Sequence, residues 1–326
     1  SNTVHAYRGF YNRLSEFQSA KVVATVTKLT PQPTLSPGEA PPPDYYAANL
    51  RHLFSHVQDF YEDILTGEEC GYLHAFLSAS DDGQRLYARL LGRKGPWIRV
   101  DKLNYHEIAD LPAALTELEQ AGLISRNDIA PAETLLGLLT QQERQTAFPA
   151  VCGARKADWL EHCLSSHTDG RIRTVLAERY SWVNLANRHL VRLVQLLFFG
   201  DDHQDTSTFV LQDVGLMRFE EYALTKSGRL FPDRQALERY RKLRRLDRLC
   251  HRLEEVSGLD DWLREALNVE TLNRQEQRQR DRTLNRLGQQ FERAGAFDRA
   301  LDCYGRSRMH PARERRARIL KKLEDD

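Results

Sequence analysis

Residues 81–103 read D-D-G-Q-R-L-Y-A-R-L-L-G-R-K-G-P-W-I-R-V-D-K-L, and residues 111–124 resume with L-P-A-A-L-T-E-L-E-Q-A-G-L-I. The first stretch predicts a helix over 82–91 that ends at Gly95-Pro96, then a short alternating strand over 96–103 around Trp97, Ile98 and Val100. Asn104 to Ala109 starts another helical turn. The second stretch is a helix with a leucine stripe that stops at Ala121-Gly122 and enters a strand at Leu123-Ile124. Helix, strand, helix, strand in this order makes residues 83–126 a winged-helix-like unit, although an unrelated helix followed by a strand has the same periodicity.

Working outward, Leu50, Leu53, Phe54, Val57 and Phe60 recur at three and four and predict a helix from Tyr45 to Phe60, opened by Pro43-Asp44. A second helix follows over 68–76. Before them, residues 31–43 carry six prolines and a glycine, the composition of an exposed linker. Val22, Val23, Val26 and Leu29 suit either a strand or an appended helix. After the winged-helix-like unit, residues 134–165 describe two short helices around a turn. Thr140 and Glu143 are spaced as a capping box, Gly153 offers a left-handed turn, and Trp159, Leu160, Cys163 and Leu164 make the buried stripe. This is the layout of a SAP-type module, in which Arg155 and Lys156 would add cations to free amides that face a phosphate backbone. A plain two-helix linker with a chance Arg-Lys pair fits the same residues.

The C-terminal third is marked by residues 281–311, D-R-T-L-N-R-L-G-Q-Q-F-E-R-A-G-A-F-D-R-A-L-D-C-Y-G-R-S-R-M-H-P. Leu284, Leu287, Gly288, Phe291, Ala300, Tyr304 and Pro311 have the spacing of a tetratricopeptide helical hairpin. Gly288 and Ala300 would let two helices approach, and Pro311 would stop the second because it cannot donate an amide hydrogen. One such hairpin cannot bury both faces, so 243–256 and 262–272 should supply neighbouring helices. The expected fold is therefore mainly α. It comprises an N-terminal extension and linker (1–43), a winged-helix-like and SAP-like DNA-binding region (44–233) and a tetratricopeptide-like helical domain (234–326).

At 326 residues the chain is long enough for about two or three domains. The longest apolar stretch, Leu190 to Phe199, is broken by Arg192 and Gln195, which reads as a buried helix and excludes a membrane span. The five cysteines form no C-x-x-C pair, which argues against zinc and a disulfide framework and for reduced thiols inside a cell. The start at Ser1-Asn2 suggests a natural protein that is longer at either end. Net charge is +1, but residues 234–326 hold 24 Lys and Arg against 17 Asp and Glu, or +7, which leaves −6 for the rest. A basic helical portion points to a polyanion, or to solvated faces with i,i+4 pairs.

Arg85, Arg89, Arg93, Lys94, Arg99 and Lys102 are interleaved with Tyr87, Trp97 and Tyr105, a mixture that suits nucleic acid because cations neutralise phosphates and rings stack on exposed bases. Trp97, in an alternating apolar strand, reads as core. A second cluster, Arg313, Arg315, Arg316, Arg318, Lys321 and Lys322, lies opposite Ile319, Leu320 and Leu323 and offers a positive face for a phosphate. A third, Arg241, Lys242, Arg244, Arg245 and Arg248, is offset by nearby carboxylates. Catalytic groups are not recognisable. Neither Pro-Asp pair is followed by Glu-x-Lys, no phosphate loop or H-E-x-x-H occurs, and His162 beside Cys163 reads as a helix-end residue.

The run Tyr45-Tyr46-A-A-Asn49-Leu50, then residues 83–108, Leu196-L-Phe198-Phe199, and Phe209 through Tyr222 to Arg234 together resemble the Fanconi-associated nucleases with a VRR-NUC domain. The resemblance implies the DNA-binding and positioning portion of a structure-specific 5′-flap phosphodiesterase of interstrand crosslink repair. Cutting would belong to a C-terminal nuclease domain that uses Mg or Mn, with no catalytic or metal residue in the present chain. It implies duplex-facing roles for Arg89, Arg93, Lys94 and Tyr105, with Tyr45 placed less firmly, and a 5′-phosphate pocket near Arg313, Arg315 and Arg316. Implied partners are branched or flap DNA, the nuclease domain and a second copy on DNA. Localisation would be the cytoplasm or nucleoid in a bacterium and the nucleus in a eukaryote. A tetratricopeptide adaptor that grips a peptide is the alternative.

Overall fold

The structure is a computed structural model that describes residues 44–93, 95–126, 129–151, 153, 155–200, 228–250 and 258–325. The proline-rich linker, the segment before it, Lys94, Cys152, residues 251–256 and the Phe209–Tyr222 run lie outside the described residues. The chain divides into two compact units, with the break at Thr225 and Lys226.

In the first unit, α1 (Tyr45–Tyr61) is the central helix, because Tyr46, Leu50, Leu53, Phe54 and Val57 are all within 1% of fully buried. Next comes α2 (Gly67–Leu77), which starts on a capping box in which Thr66 and Glu69 satisfy each other's amides. The third helix, α3 (Asp81–Leu91), buries Leu86, Tyr87 and Leu90 against α1 and is stopped at Gly92. Phe54, Phe76, Tyr72 and Tyr87 meet ring to ring in this core, and the Tyr72 and Tyr87 hydroxyls bond each other at 2.7 Å. Tyr87 is thus a core residue and offers no ring to a base.

The strand β1 (Trp97–Arg99) is shorter than the sequence predicts, because Val100–Lys102 close into a 3₁₀ turn. Residues 104–109 form turns rather than a helix. Asp110 caps α4 (Leu111–Gln120), which ends at Gly122 (φ +69°) and feeds β2 (Ile124–Ser125). The sheet is completed from a distance. β3 (Trp182–Leu185) lies between the other two, antiparallel to both, with Ile98 opposite Val183 and Ile124 opposite Leu185. This is a winged-helix-like arrangement whose last two strands are separated by an inserted helical module.

That module contains α5 (Ala132–Gly137), α6 (Gln141–Ala147), α7 (Lys156–Ser166) and α8 (Asp169–Ala177). They close on Leu135, Leu136, Phe148, Trp159, Cys163, Ile172 and Leu176. The capping box of Thr140 and Glu143 forms as expected. Gly153, by contrast, does not take a left-handed turn. It is required by space, since a Cβ there would lie 2.6 Å from the Trp159 backbone nitrogen. After β3, α9 (Arg188–Phe199) returns to pack its Leu190, Leu193, Val194 and Leu197 face on α1 and α2.

The second unit is all helix among its described residues: α10 (Arg234–Leu249), α11 (Leu259–Asn268), α12 (Arg274–Arg293), α13 (Phe297–Arg306) and α14 (Ala312–Asp325). Helices α12 and α13 form a hairpin turned at Gly295 (φ +75°), and the Tyr304 ring sits where a Gly288 Cβ would be, 2.7 Å from its Cε1. Leu284, Leu287, Phe291, Ala300, Cys303 and Tyr304 share one core with α11 and with Ala312 and Ile319 of α14. Pro311 does not end α13, which stops at Arg306. It opens α14 instead, and its carbonyl accepts from Arg315.

Candidate nucleic-acid interface

Cations of the first unit fall into two kinds, those whose charge is held by a carboxylate and those whose charge is not. Arg89 is of the first kind. Its Nε and Nη2 donate to Glu107 Oε1 at 2.9 and 2.6 Å, and its guanidinium lies 4.0 Å from the Tyr46 ring centre. Tyr46 donates to the same oxygen at 2.8 Å. Burial works against the charged form of Glu107, but its backbone hydrogen bond and those from Arg89 and Tyr46 outweigh it and hold the carboxyl below its ordinary value. Arg85 is similarly bound to Asp44 and Asp82, and Arg51 to Asp81.

Arg99 departs furthest from the sequence expectation. Its side chain is 3% exposed, bonds Asp101 and Glu143 at 2.6 Å each, and lies 4.0 Å from the Tyr180 ring centre. No surface is left for a phosphate. Its work is to fasten the inserted module to β1, because Glu143 is also the capping residue of α6. The hydrogen bond from Arg99, aided by Thr140 against a burial penalty, draws Glu143 down to about 2. Lys102 reaches the other oxygen of Glu143 at 3.4 Å but stays half-exposed.

Arg93 is of the second kind. It projects just past α3, donates from Nε to the Tyr105 hydroxyl at 3.0 Å and from Nη2 to the Lys102 carbonyl at 3.0 Å, and has no carboxylate partner among the described residues. Tyr105 lies under both arginines, 5.5 Å from Arg89 and 5.7 Å from Arg93. The structure therefore links Arg89, Tyr105, Arg93, Lys102 and Arg99 in one run of contacts. Within it Arg93 has no carboxylate partner among the described residues, Lys102 shares Glu143 with Arg99 but stays half-exposed, Tyr105 orients Arg93, and Arg89 and Arg99 are held internally.

Arg155 and Lys156 stand at the start of α7. Arg155 pairs with Asp158 at 3.1 Å, but its side chain is 83% exposed, so the pair holds it weakly. Lys156 donates to the Gly137 carbonyl at the end of α5. Helix α4, which a winged-helix unit would lay in a groove, contains no Lys or Arg. Its Glu117 accepts from Ser80 and its Glu119 from Arg126, so reading of bases by this helix is disfavoured. In the second unit, Arg315 is bound to Glu292, which also accepts from Tyr304. Arg313 and Arg316 are exposed.

No three His, Cys, Asp or Glu among the described residues are grouped to hold a metal ion. No helix among them is long and apolar enough to cross a membrane.

Residues 44–125 match the family model described as FAN1, HTH domain. A Fanconi-associated nuclease 1 homolog of Oryza sativa subsp. japonica is 32% identical over 213 residues, covering 60% of this chain and 22% of that protein. The homolog of Pseudomonas aeruginosa is 29% identical over 310 residues, 90% of this chain and 53% of that protein. A crystal structure of paFAN1 bound to 2nt 5′flap DNA with gap is similar at a TM-score of 0.75 and 28% identity, over 88% of this chain and 53% of that one. Family model, relatives and solved structure agree that the chain is similar to the Fanconi-associated nucleases, and it spans about half the length of the bacterial homolog.

Proposed function

We propose that this chain binds and positions 5′-flap DNA for a structure-specific nuclease of DNA repair, acting inside the cell. The observation that supports this most is the likeness, over 88% of the chain, to a relative whose solved structure is described as bound to 5′-flap DNA. Arg93, Lys94 and Lys102 contact backbone phosphates in this reading, and Tyr105 holds Arg93 in place. Arg155 and Lys156 bring the SAP-like module onto the duplex, and exposed Arg313 and Arg316 on the tetratricopeptide-like unit hold a terminal phosphate. Cutting, with Mg or Mn, is assigned to a VRR-NUC domain in the part of such relatives that this chain does not span. A second copy joins on DNA.

With α4 acidic and the remaining cations aimed at phosphates, recognition depends on junction shape and varies little with sequence. Fluorescence anisotropy tests this with a 5′-flap, a nicked duplex and a plain duplex at about 50 mM salt, where electrostatic association is strong. The expected order is flap bound most tightly, with affinity falling steeply as salt rises. Failure of all three to bind would favour a peptide-binding adaptor.

A further inference from the structure

Helix α9 carries two arginines one turn apart, Arg188 and Arg192, at the end of the helix that meets the Arg93 loop. The strand pairing brings them there, since β3 lies beside β1 and the Leu185 amide donates to the Pro96 carbonyl. Arg188 then donates from Nη2 to the carbonyl of Gly95, which sits in the left-handed region (φ +82°) two residues past Arg93. Arg188 Nε is buried with no acceptor. Arg192, exposed one turn on, faces the same way by helical periodicity. Neither has a carboxylate partner among the described residues.

Seven other arginines of the unit differ in this, whereas Arg144, Arg171 and Arg179, like Arg93, have no carboxylate partner among the described residues. Arg51, Arg85, Arg89, Arg99, Arg126, Arg155 and Arg173 each have a carboxylate within salt-bridge distance. Burial and the nearby charge of Arg192 both disfavour the charged form of Arg188, so the pair is held together at a cost. Like charges brought together by the fold with no carboxylate among the described residues to compensate them are relieved by an external anion. A carboxylate ligand would relieve them as well, but continuity with Arg93 and its Tyr105 support favours a repeating phosphate track.

We propose that Arg93, Arg188 and Arg192 form one seat for a DNA backbone phosphate, with Arg192 making the contact and Arg188 holding the Gly95 turn against it. The seat rests on the DNA-positioning reading above and adds α9 to it.

The test is the salt dependence of flap-DNA binding by the full 326-residue chain carrying R192Q, R192K or R93Q. R192Q is expected to weaken binding about equally for flap, nicked and plain duplex. It should also lower the slope of log affinity against log salt by about 1, the signature of one lost phosphate contact. R192K, which keeps the charge, should retain the wild-type slope. R93Q lowering the slope while R192Q leaves it unchanged would overturn the α9 seat and spare the positioning reading. Absence of binding by the unaltered chain would overturn both. Substituting inorganic phosphate for chloride at equal ionic strength should leave the R192Q deficit in place, and its disappearance would assign the seat to a free phosphate instead.

Discussion

Arg89 and Arg93, four apart on α3, illustrate how neighbouring cations acquire different work. Arg89 meets Glu107 and the Tyr46 ring, whereas Arg93 meets the Tyr105 ring and hydroxyl and the Lys102 carbonyl, with no carboxylate among the described residues. Truncation at the two sites should therefore separate stability from binding. R93Q is expected to cut flap-DNA affinity about ten-fold while leaving the thermal midpoint near wild type, read by anisotropy and by circular dichroism. R89Q should instead destabilise the fold by about 1–3 kcal/mol, because it removes the cationic partner of the mostly buried Glu107 carboxylate and leaves it the Tyr46 hydroxyl, and adding E107Q should restore part of the loss. A melt in which R89Q behaves like wild type would contradict this division. Sequence spacing placed both arginines on one face but could not say which would find a carboxylate, since Glu107 arrives from a turn rather than from the helix itself.

At the level of elements, two contacts set how segments join. The α12–α13 hairpin closes over Gly288, and G288A would force the Tyr304 ring to move, together with its hydrogen bond to Glu292. A loss of about 1–3 kcal/mol is expected in urea unfolding, and G288A without any effect would mean the ring shifts freely. The other contact is Glu143, which caps α6 and pairs with Arg99 of β1. Its folded pKa of about 2 lies below the ordinary 4.5, so the native state favours the ionised form. Its stabilisation is complete above pH 4.5 and is lost as pH falls through about 2. E143Q should remove that part of the acid sensitivity from a stability-against-pH profile, and parallel profiles for variant and wild type would refute the assignment. Removing only the cap, as T140A, should cost about 1 kcal/mol.

For the whole molecule, charge is distributed so that α4 is acidic while the end of α3 and the start of α9 are basic, which would make ionic strength the sensitive variable in the proposed DNA binding. The sequence by itself determined most of the helices, the Thr140–Glu143 capping box and the core stripes, because periodicity and capping residues act within a few neighbours along the chain, whereas the expected stop at Pro311, the turn at Gly153 and the helix at 104–109 did not form. It also gave the close approach at Gly288, where one missing side chain faces one large ring at fixed spacing, and the family resemblance through the run at 83–108. Only the tertiary structure decided that β3 returns some 55 residues later to complete the sheet begun by β1 and β2. It also decided that Arg99 is a buried fastener and that Arg188 reaches the carbonyl of Gly95, two residues past Arg93. Strand pairing and ion pairing join groups distant in the chain, and which carboxylate neutralises which guanidinium depends on distances that no local pattern encodes.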